Sequence, residues 1–539
     1  MVGRGQGWCL AWLSLAATLA AQAPPQARRS PRLAPNQMVA RIVAGERAWL
    51  RAVRPFRPRV ETYIQSLRTQ PELGPVPVAD DDFLGYLDLR HGLAEPLFTG
   101  RNTGKLAHAF FPLGFAAMIA PDWSRFDSRH YRFTFIGREF LGAVGCIVFD
   151  VQALRPGRRP AFIGRIWAED HGYTLVRFDG TYVPNPKHRY VHFDSWRMNL
   201  GPDLWLPAAI YSQEEDQRTG WFGHISFRAE TRFWGYALSA LERLSEATSI
   251  SVEGAGDMAP QPLTPDLGPL GSERAWELKA EDDVLGRMQA AGLLSLPGAV
   301  DRVLATVVNN LELSNHLSFT PPVRCRVLLT APLESFTVGH TIVLSRGLID
   351  VLPNEASLAM ALAHELGRIA LDQGINTDYA FDDRMLFPDT ESFTRIRLAH
   401  TPAEEAAADA KGLELLEHSP YRGQLSQAGL FLEALQRAAP GLPNLLRTHW
   451  GDPLVLRGRV DRMRALLLQA PRLETRNLRQ IPALPLGARL ALDPWSDRLR
   501  LLAPPAEALI SPRDKLLFAI TPYFPYLRRE AAADPATPR

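Results

Sequence analysis

The chain is 539 residues long, with an apolar fraction of 46% and a charged fraction of 22%. This length exceeds what one hydrophobic core holds, and this composition excludes a wholly disordered chain. Lysine and arginine number 60 against 58 aspartates and glutamates, which leaves a formal charge of +2. The balance gives no electrostatic basis for a nucleic-acid partner.

The first residues have the layout of a cleavable secretory signal. Arg4 precedes an apolar run from Trp8 to Ala21, and Pro24 follows shortly after it. The run is short for a transmembrane helix, and no other stretch reaches spanning length. We therefore predict a signal peptide over residues 1–21 and an exported protein of the periplasm or cell envelope. An uncleaved membrane anchor is the alternative.

The next part of the chain changes from helical to strand-like patterns. Residues 36–69 read as helix interrupted at Pro55 and Pro58, and little periodicity follows up to residue 129. From Tyr131 to Leu238, seven runs alternate apolar and polar residues and are rich in aromatic and β-branched side chains. Residues 36–241 are thus predicted to form an antiparallel β domain, curled into a half-barrel or a sandwich.

These strands carry FIGRIW and LVRFDG at their centre and follow a helical lead-in. In this layout the segment resembles the open half-barrel fold of periplasmic lipoprotein carriers. The resemblance implies a concave face that holds acyl chains. A curved sheet that serves only as a scaffold or docking domain is the alternative, because a fold does not determine a function.

The remaining chain divides by composition. Residues 242–275 are dense in glycine and proline and are predicted to be a linker. A mainly helical domain is expected over residues 276–470, followed by a C-terminal extension with strands over 471–530 and a disordered tail over 531–539. The predicted fold class is α+β. Cys146 and Cys325 lie in strand-like apolar runs, so we expect buried free thiols.

One stretch of the second domain carries most of the chemistry. Residues 354–374 read NEASLAMALAHELGRIALDQG, with Asn354 as a helix N-cap and Gly374 at the expected C-cap. Further along, Thr401, Pro402 and Glu404 form a capping-box pattern that opens a second helix. The first helix carries His-Glu-Leu-Gly-Arg, where a zinc-peptidase helix reads His-Glu-x-x-His.

This domain resembles the zinc metallopeptidases of the CAAX prenyl protease and HtpX type, with a zincin-like fold. The resemblance implies that His364 is the first zinc ligand, Glu365 the general base and Glu405 the third ligand. It also implies that Asp409 orients a ligand imidazole. Arg368 stands at the position of the second ligand and cannot bind zinc, because a guanidinium group has no free lone pair. Zinc is therefore the implied cofactor, but with an incomplete ligand set.

Two placements of Arg368 are considered. The guanidinium group can face Glu405 in a bidentate salt bridge and replace the charge of the lost ion, or it can pair with Asp372 and face solvent. Substitute ligands would have to come from other histidines. The candidates are His340, His400 and His449.

Three functions follow as hypotheses. We favour an exported pseudopeptidase that binds a protein or peptide in the envelope, since Arg368 removes a ligand. The second hypothesis is an active zinc metalloendopeptidase with a substitute ligand. The third is a carrier of lipid or apolar peptide in the β domain.

Overall fold

A computed structural model of the chain describes residues 33–88, 93–99, 115–155, 159–184, 190–201, 203–219, 223–237, 268–374, 393, 396 and 398–530. The predicted signal peptide, most of the predicted linker and the predicted tail lie outside these residues. No helix within the described ranges has the length and apolar character needed to cross a bilayer.

The described residues of the N-terminal part include one α-helix and one large antiparallel sheet, in agreement with the α+β prediction. Helix α1 spans Pro35–Val53. The strands are β1 Arg59–Gln70, β2 Gly74–Asp88, β3 Leu93–Thr99, β4 Tyr131–Leu141, β5 Val144–Ala153, β6 Ala161–Glu169, β7 Leu175–Val183, β8 Phe193–Gly201, β9 Leu204–Thr219 and β10 Gly223–Trp234. Their order in the sheet is β3-β2-β1-β10-β9-β8-β7-β6-β5-β4.

The first three strands were not expected from the sequence, and the predicted helix over residues 60–69 is wrong. β1 has seven consecutive buried residues, because one of its faces packs on the sheet core and the other on the second domain. A strand buried on both faces shows no two-residue alternation. β2 is buried although it contains the acidic run Asp80 to Asp82. Because acidic residues are rare in strand interiors, this run does not predict a strand.

Helix α1 covers an aromatic face of the sheet. Ile42 and Trp49 on the helix belong to the same core as Phe149, Phe178 and Phe193 on the strands. A buried ion pair lies between the two layers, where both terminal nitrogens of Arg197 donate to Glu46, at 2.7 and 2.8 Å. The described residues therefore fill this face of the sheet with side chains.

The second part combines helices with a small mixed sheet. Its helices are α2 Pro269–Ala290, α3 Ala299–Ser314, α4 Arg346–Val351, α5 Glu355–Ala370, α6 Pro402–Glu417 and α7 Leu425–Ala438. Strands β11 Arg324–Leu328, β12 Ser335–Val338 and β13 Thr341–Ser345 form a three-stranded sheet. Two short hairpins follow, β14 Val455–Leu456 with β15 Arg459–Val460, and β16 Leu490–Leu492 with β17 Leu499–Leu501.

Helix α2 corrects the predicted extent of the linker. The helix begins at Pro269, although the linker was predicted to continue to residue 275. Proline fits the first turn of a helix because the amide hydrogen that it lacks would have no helical partner there.

The two parts are packed directly against each other. Glu61 of β1 accepts hydrogen bonds from the Ala331 amide at 2.6 Å and from Arg346 of α4 at 2.9 Å. Asp80 of β2 accepts from the backbone amides of Asn444 and Leu445, at 2.9 and 2.8 Å. Buried polar groups on the outer face of β1 and β2 thus find their partners in the second domain.

The two cysteines lie in different sheets. Cys146 is in β5 and Cys325 is in β11, and both are buried free thiols, as predicted. Burial raises the pKa of each thiol to about 12, so both stay protonated near neutral pH.

Candidate functional site

Helix α5 is capped and buried as the sequence predicts. The Asn354 side chain accepts the Ser357 amide at 2.9 Å, which satisfies a free donor of the first turn. Burial extends to every side of the helix from Ala359 to Ile369. The predicted cap at Gly374 is wrong, because the helix ends at Ala370 and Asp372 takes the left-handed conformation with φ 53°.

Two glycines let α5 and α6 approach closely. A Cβ on Gly367 would lie 2.8 Å from the Ala408 carbonyl oxygen, and one on Gly412 would lie 2.9 Å from the Ala363 carbonyl oxygen. Helix α6 begins at the predicted capping box, in which Thr401 accepts the Glu404 amide. This packing brings the carboxylates of α6 against the polar residues of α5.

His364 is a neutral imidazole held in one orientation. Its Nδ1 lies 2.7 Å from Asp409 Oδ1, and the other oxygen of Asp409 accepts the Met463 amide at 2.8 Å. Burial and the nearby Arg462 guanidinium keep the pKa of His364 well below its usual value. With Nδ1–H donated to Asp409, Nε2 carries the lone pair and lies 3.6 Å from Glu405 Oε2.

Glu365 is a buried carboxylate bound on both sides. One oxygen accepts from Ser335 Oγ at 2.7 Å and from Arg462 at 2.9 Å, and the other lies 3.4 Å from Arg368 Nε. Burial raises the pKa of Glu365, but the guanidinium groups of Arg462 and Arg368 outweigh it, so the net pKa is lowered. The predicted general base is therefore ionised and engaged by cations.

Arg368 points inward, and its guanidinium group lies beside Glu405, where the resemblance would place the zinc ion. Its side chain is 1% exposed, and one terminal nitrogen contacts Glu405 and lies 3.2 Å from Asp452. The predicted contact with Glu405 is confirmed, but one nitrogen makes it, so the pairing is not bidentate. The solvent-exposed pair with Asp372 is wrong.

Arg462 is a second cation in the same place, and the sequence analysis missed it. The residue follows β15 and is 2% exposed. Its Nε lies 3.2 Å from Glu405 Oε2, and one terminal nitrogen lies 2.9 Å from Glu365 Oε1. No local pattern identifies Arg462 as buried, because Arg459 and Arg464 also have apolar neighbours and yet are exposed.

Asp452 completes the cluster and brings one candidate histidine with it. Its Oδ2 accepts the His400 amide at 3.0 Å and lies 3.3 Å from His400 Nδ1. Burial raises the pKa of Asp452, but the His400 hydrogen bonds and Arg462 outweigh it, and the net pKa is lowered. The buried ion cluster is thus Glu365, Glu405 and Asp452 around Arg368 and Arg462, with His364, Asp409 and His400 at its border.

The other two candidate histidines lie elsewhere. His340 Nδ1 lies 2.7 Å from the Pro321 carbonyl oxygen, beside β13. His449 stacks on Phe98 with ring centroids 4.3 Å apart, and its amide donates to Glu334. Of the three, only His400 lies at the buried ion cluster.

Zinc does not fit this arrangement. His364 Nε2 and Glu405 are placed as two ligands, and atoms of His400, Glu405 and Asp452 lie within 4.8 Å of one another. The carboxylates of these sets are, however, the ones paired with Arg368 and Arg462. A dication would have to displace two buried guanidinium groups, so the residues present favour a metal-free cluster.

Comparisons with known proteins give little. No protein-family model matches the chain. No curated protein matches it either. Among solved structures, a DUF1329 family protein from Desulfovibrio piger is 9% identical, with a TM-score of 0.18, over 36% of this chain and 92% of its own. A chain of the MucA/MucB complex of Pseudomonas aeruginosa is 8% identical, with a TM-score of 0.14. The match covers 36% of this chain and 93% of that one. Likenesses this low carry no argument about function.

Proposed function

We propose that this protein acts by binding in the cell envelope and not by zinc-dependent proteolysis. The observation that carries the proposal is the placement of Arg368 and Arg462, which are 1% and 2% exposed and paired with three carboxylates. A catalytic zinc needs three protein ligands and an open position for water. In this chain the same space holds two fixed positive charges.

The cluster also removes the other requirement of the reaction. A general base must place a free lone pair within hydrogen-bond distance of the reacting water molecule. The pKa of the base must also lie near the working pH. Glu365 is fully buried, with one oxygen accepting from Ser335 and Arg462 and the other close to Arg368. The site therefore links α5 to α6 through ion pairs. The envelope location in this proposal depends on the predicted signal peptide.

The test is metal content and proteolysis of the mature protein purified without chelator. We expect less than about 0.1 zinc per chain by mass spectrometry, and no rise in melting temperature on adding zinc. Cleavage of an unfolded protein substrate should not exceed that of Glu365→Gln. One zinc per chain, together with cleavage that Glu365→Gln abolishes, would instead establish an active zinc peptidase.

A carrier function in the β domain is the second candidate. The aromatic face under α1 supports it, because this face would suit an acyl chain if the helix lifted from the sheet. The Glu46–Arg197 pair would then be the contact that breaks. Hydrogen exchange of Pro35–Val53 with added fatty acid tests the idea. Faster exchange throughout the helix supports a lid, and unchanged exchange with lipid bound contradicts it.

A further inference from the structure

A groove of about 410 Å³ lies where the β1–β2 hairpin meets the end of α7 and the C-terminal segment. Five apolar residues of its lining are together called the floor here: the buried Ala434, Leu442 and Phe518 and the half-buried Leu473 and Leu517. The volume is within the range of small-molecule sites, about 300–1,000 Å³. No residue of the buried ion cluster lines the groove, so the two sites are separate.

The walls of the groove are tied together by specific contacts. Gln65 of β1 donates to the Phe518 carbonyl at 2.8 Å and accepts the Ile520 amide at 3.0 Å. At the hairpin tip, Glu72 pairs with Arg476. These contacts join the hairpin to the C-terminal segment, so this side of the groove is formed in advance of any ligand.

The backbone of one wall is strained. Leu516 and Phe518 both line the groove and have φ of 46° and 56°, in the left-handed region that side chains with a Cβ rarely adopt. Such strain persists only where the surrounding structure imposes it, and it concentrates at ligand sites.

The charges around the groove are unequal. Four cationic side chains line it, and Glu474 is the acidic residue among the lining residues. The cations are Arg68, Arg437, Arg513 and Lys515. Lys515 is only 5% exposed, and its Nζ donates to the Glu474 carbonyl at 3.2 Å, which uses one of its three donors. The side chain is largely buried, and an ammonium group with spare donors favours an anionic ligand group.

The composition of the walls distinguishes between ligand classes. Five of the lining residues are proline, namely Pro75, Pro77, Pro440, Pro482 and Pro512. Proline has no amide hydrogen, so these walls offer few donors to the backbone of an extended peptide. An acyl chain needs no such donors, because apolar contact alone holds it.

We propose that this groove binds a single acyl chain with an anionic head group, the chain on the apolar floor and the head group at Lys515 and the neighbouring arginines. The proposal stands independently of the proposed function, because the buried ion cluster takes no part in it. It also differs from the carrier alternative, in which the ligand lies under α1.

Calorimetry on the delipidated full chain tests it, with palmitate, myristate and hexadecanol as probes. We expect one palmitate per chain and roughly 15-fold weaker binding of myristate, since each methylene contributes about fourfold. Lys515→Met should weaken palmitate binding at least about tenfold and leave hexadecanol unchanged. Lysophosphatidate with the same chain shows whether the site prefers a phosphate or a carboxylate head group.

Two further variants make the result specific. Ala438→Trp fills the groove and should abolish binding, whereas Arg479→Met, an exposed cation of the same segment outside the groove, should not change it. Circular dichroism of each variant shows whether it is folded. Palmitate binding that persists in a folded Ala438→Trp protein, absence of binding in the wild type, or preference for an apolar peptide with a free carboxyl terminus would overturn the proposal.

Discussion

Replacing Arg462 with methionine lowers the free energy of unfolding by about 3–5 kcal/mol, the usual cost of removing one partner from a buried ion pair. Arg462 is 2% exposed, lies 2.9 Å from Glu365 and 3.2 Å from Glu405, and also donates to Ser335. Methionine keeps an apolar stem of similar length, so the loss reports the charge. Urea and thermal unfolding of both proteins measure it.

The matched control is Arg464→Met. This arginine is two residues away and exposed, so its replacement should change stability by less than about 0.5 kcal/mol. Adding Glu365→Gln to Arg462→Met should recover part of the loss, because the second change removes a carboxylate that the first left unpaired. If Arg462→Met were as stable as Arg464→Met, the cluster would not be held by charge pairing.

Local signals in the sequence predicted the local parts of this site. The Asn354 cap and the capping box at Thr401 depend on residues close together in the chain, and both are found in the structure. The contact between Arg368 and Glu405 is one of the two placements that the sequence leaves open, and it follows from the family resemblance, which implies Glu405 as a ligand, not from a local pattern. Short-range patterns are thus sufficient for capped helices.

The rest depends on contacts between distant segments. Arg462 reaches Glu365 across 97 positions of sequence, and Glu61 reaches Arg346 across 285. The sequence around Arg462 does not distinguish this buried arginine from Arg459 and Arg464, which are exposed. Likewise, the sequences of β1 and β2 do not show the alternation of a half-buried strand, because the second domain covers their outer face. Such burial is a property of the assembled fold and not of the segment.

Replacing Arg368 with histidine should not be sufficient to restore zinc binding, because the structure shows a second arginine at the same site. Arg368→His restores the second ligand and so completes a set of three, but Arg462 stays with its Nε 3.2 Å from Glu405 Oε2. At about 5 Å and an effective dielectric constant of about 20, one guanidinium group repels Zn²⁺ by on the order of 6 kcal/mol. We therefore expect Arg368→His alone to bind zinc poorly.

The double variant Arg368→His/Arg462→Met should bind one zinc per chain, at least about 100-fold more tightly than Arg368→His. Competition with a coloured zinc chelator measures the two affinities. Zinc should also raise the melting temperature of the double variant, because the metal binds the folded state alone and neutralises the carboxylates that the arginines had paired.

The control adds His364→Asn to the double variant. Asparagine keeps a donor for Asp409 but removes the Nε2 lone pair, so zinc binding should be lost while α5 stays packed on α6. If Arg368→His bound zinc as tightly as the double variant, Arg462 would not be a barrier, and one guanidinium group would account for the metal-free cluster. A large difference in zinc affinity between Arg368→His and the double variant means that both arginines exclude the metal. Each arginine would then hold a positive charge where the dication has to bind.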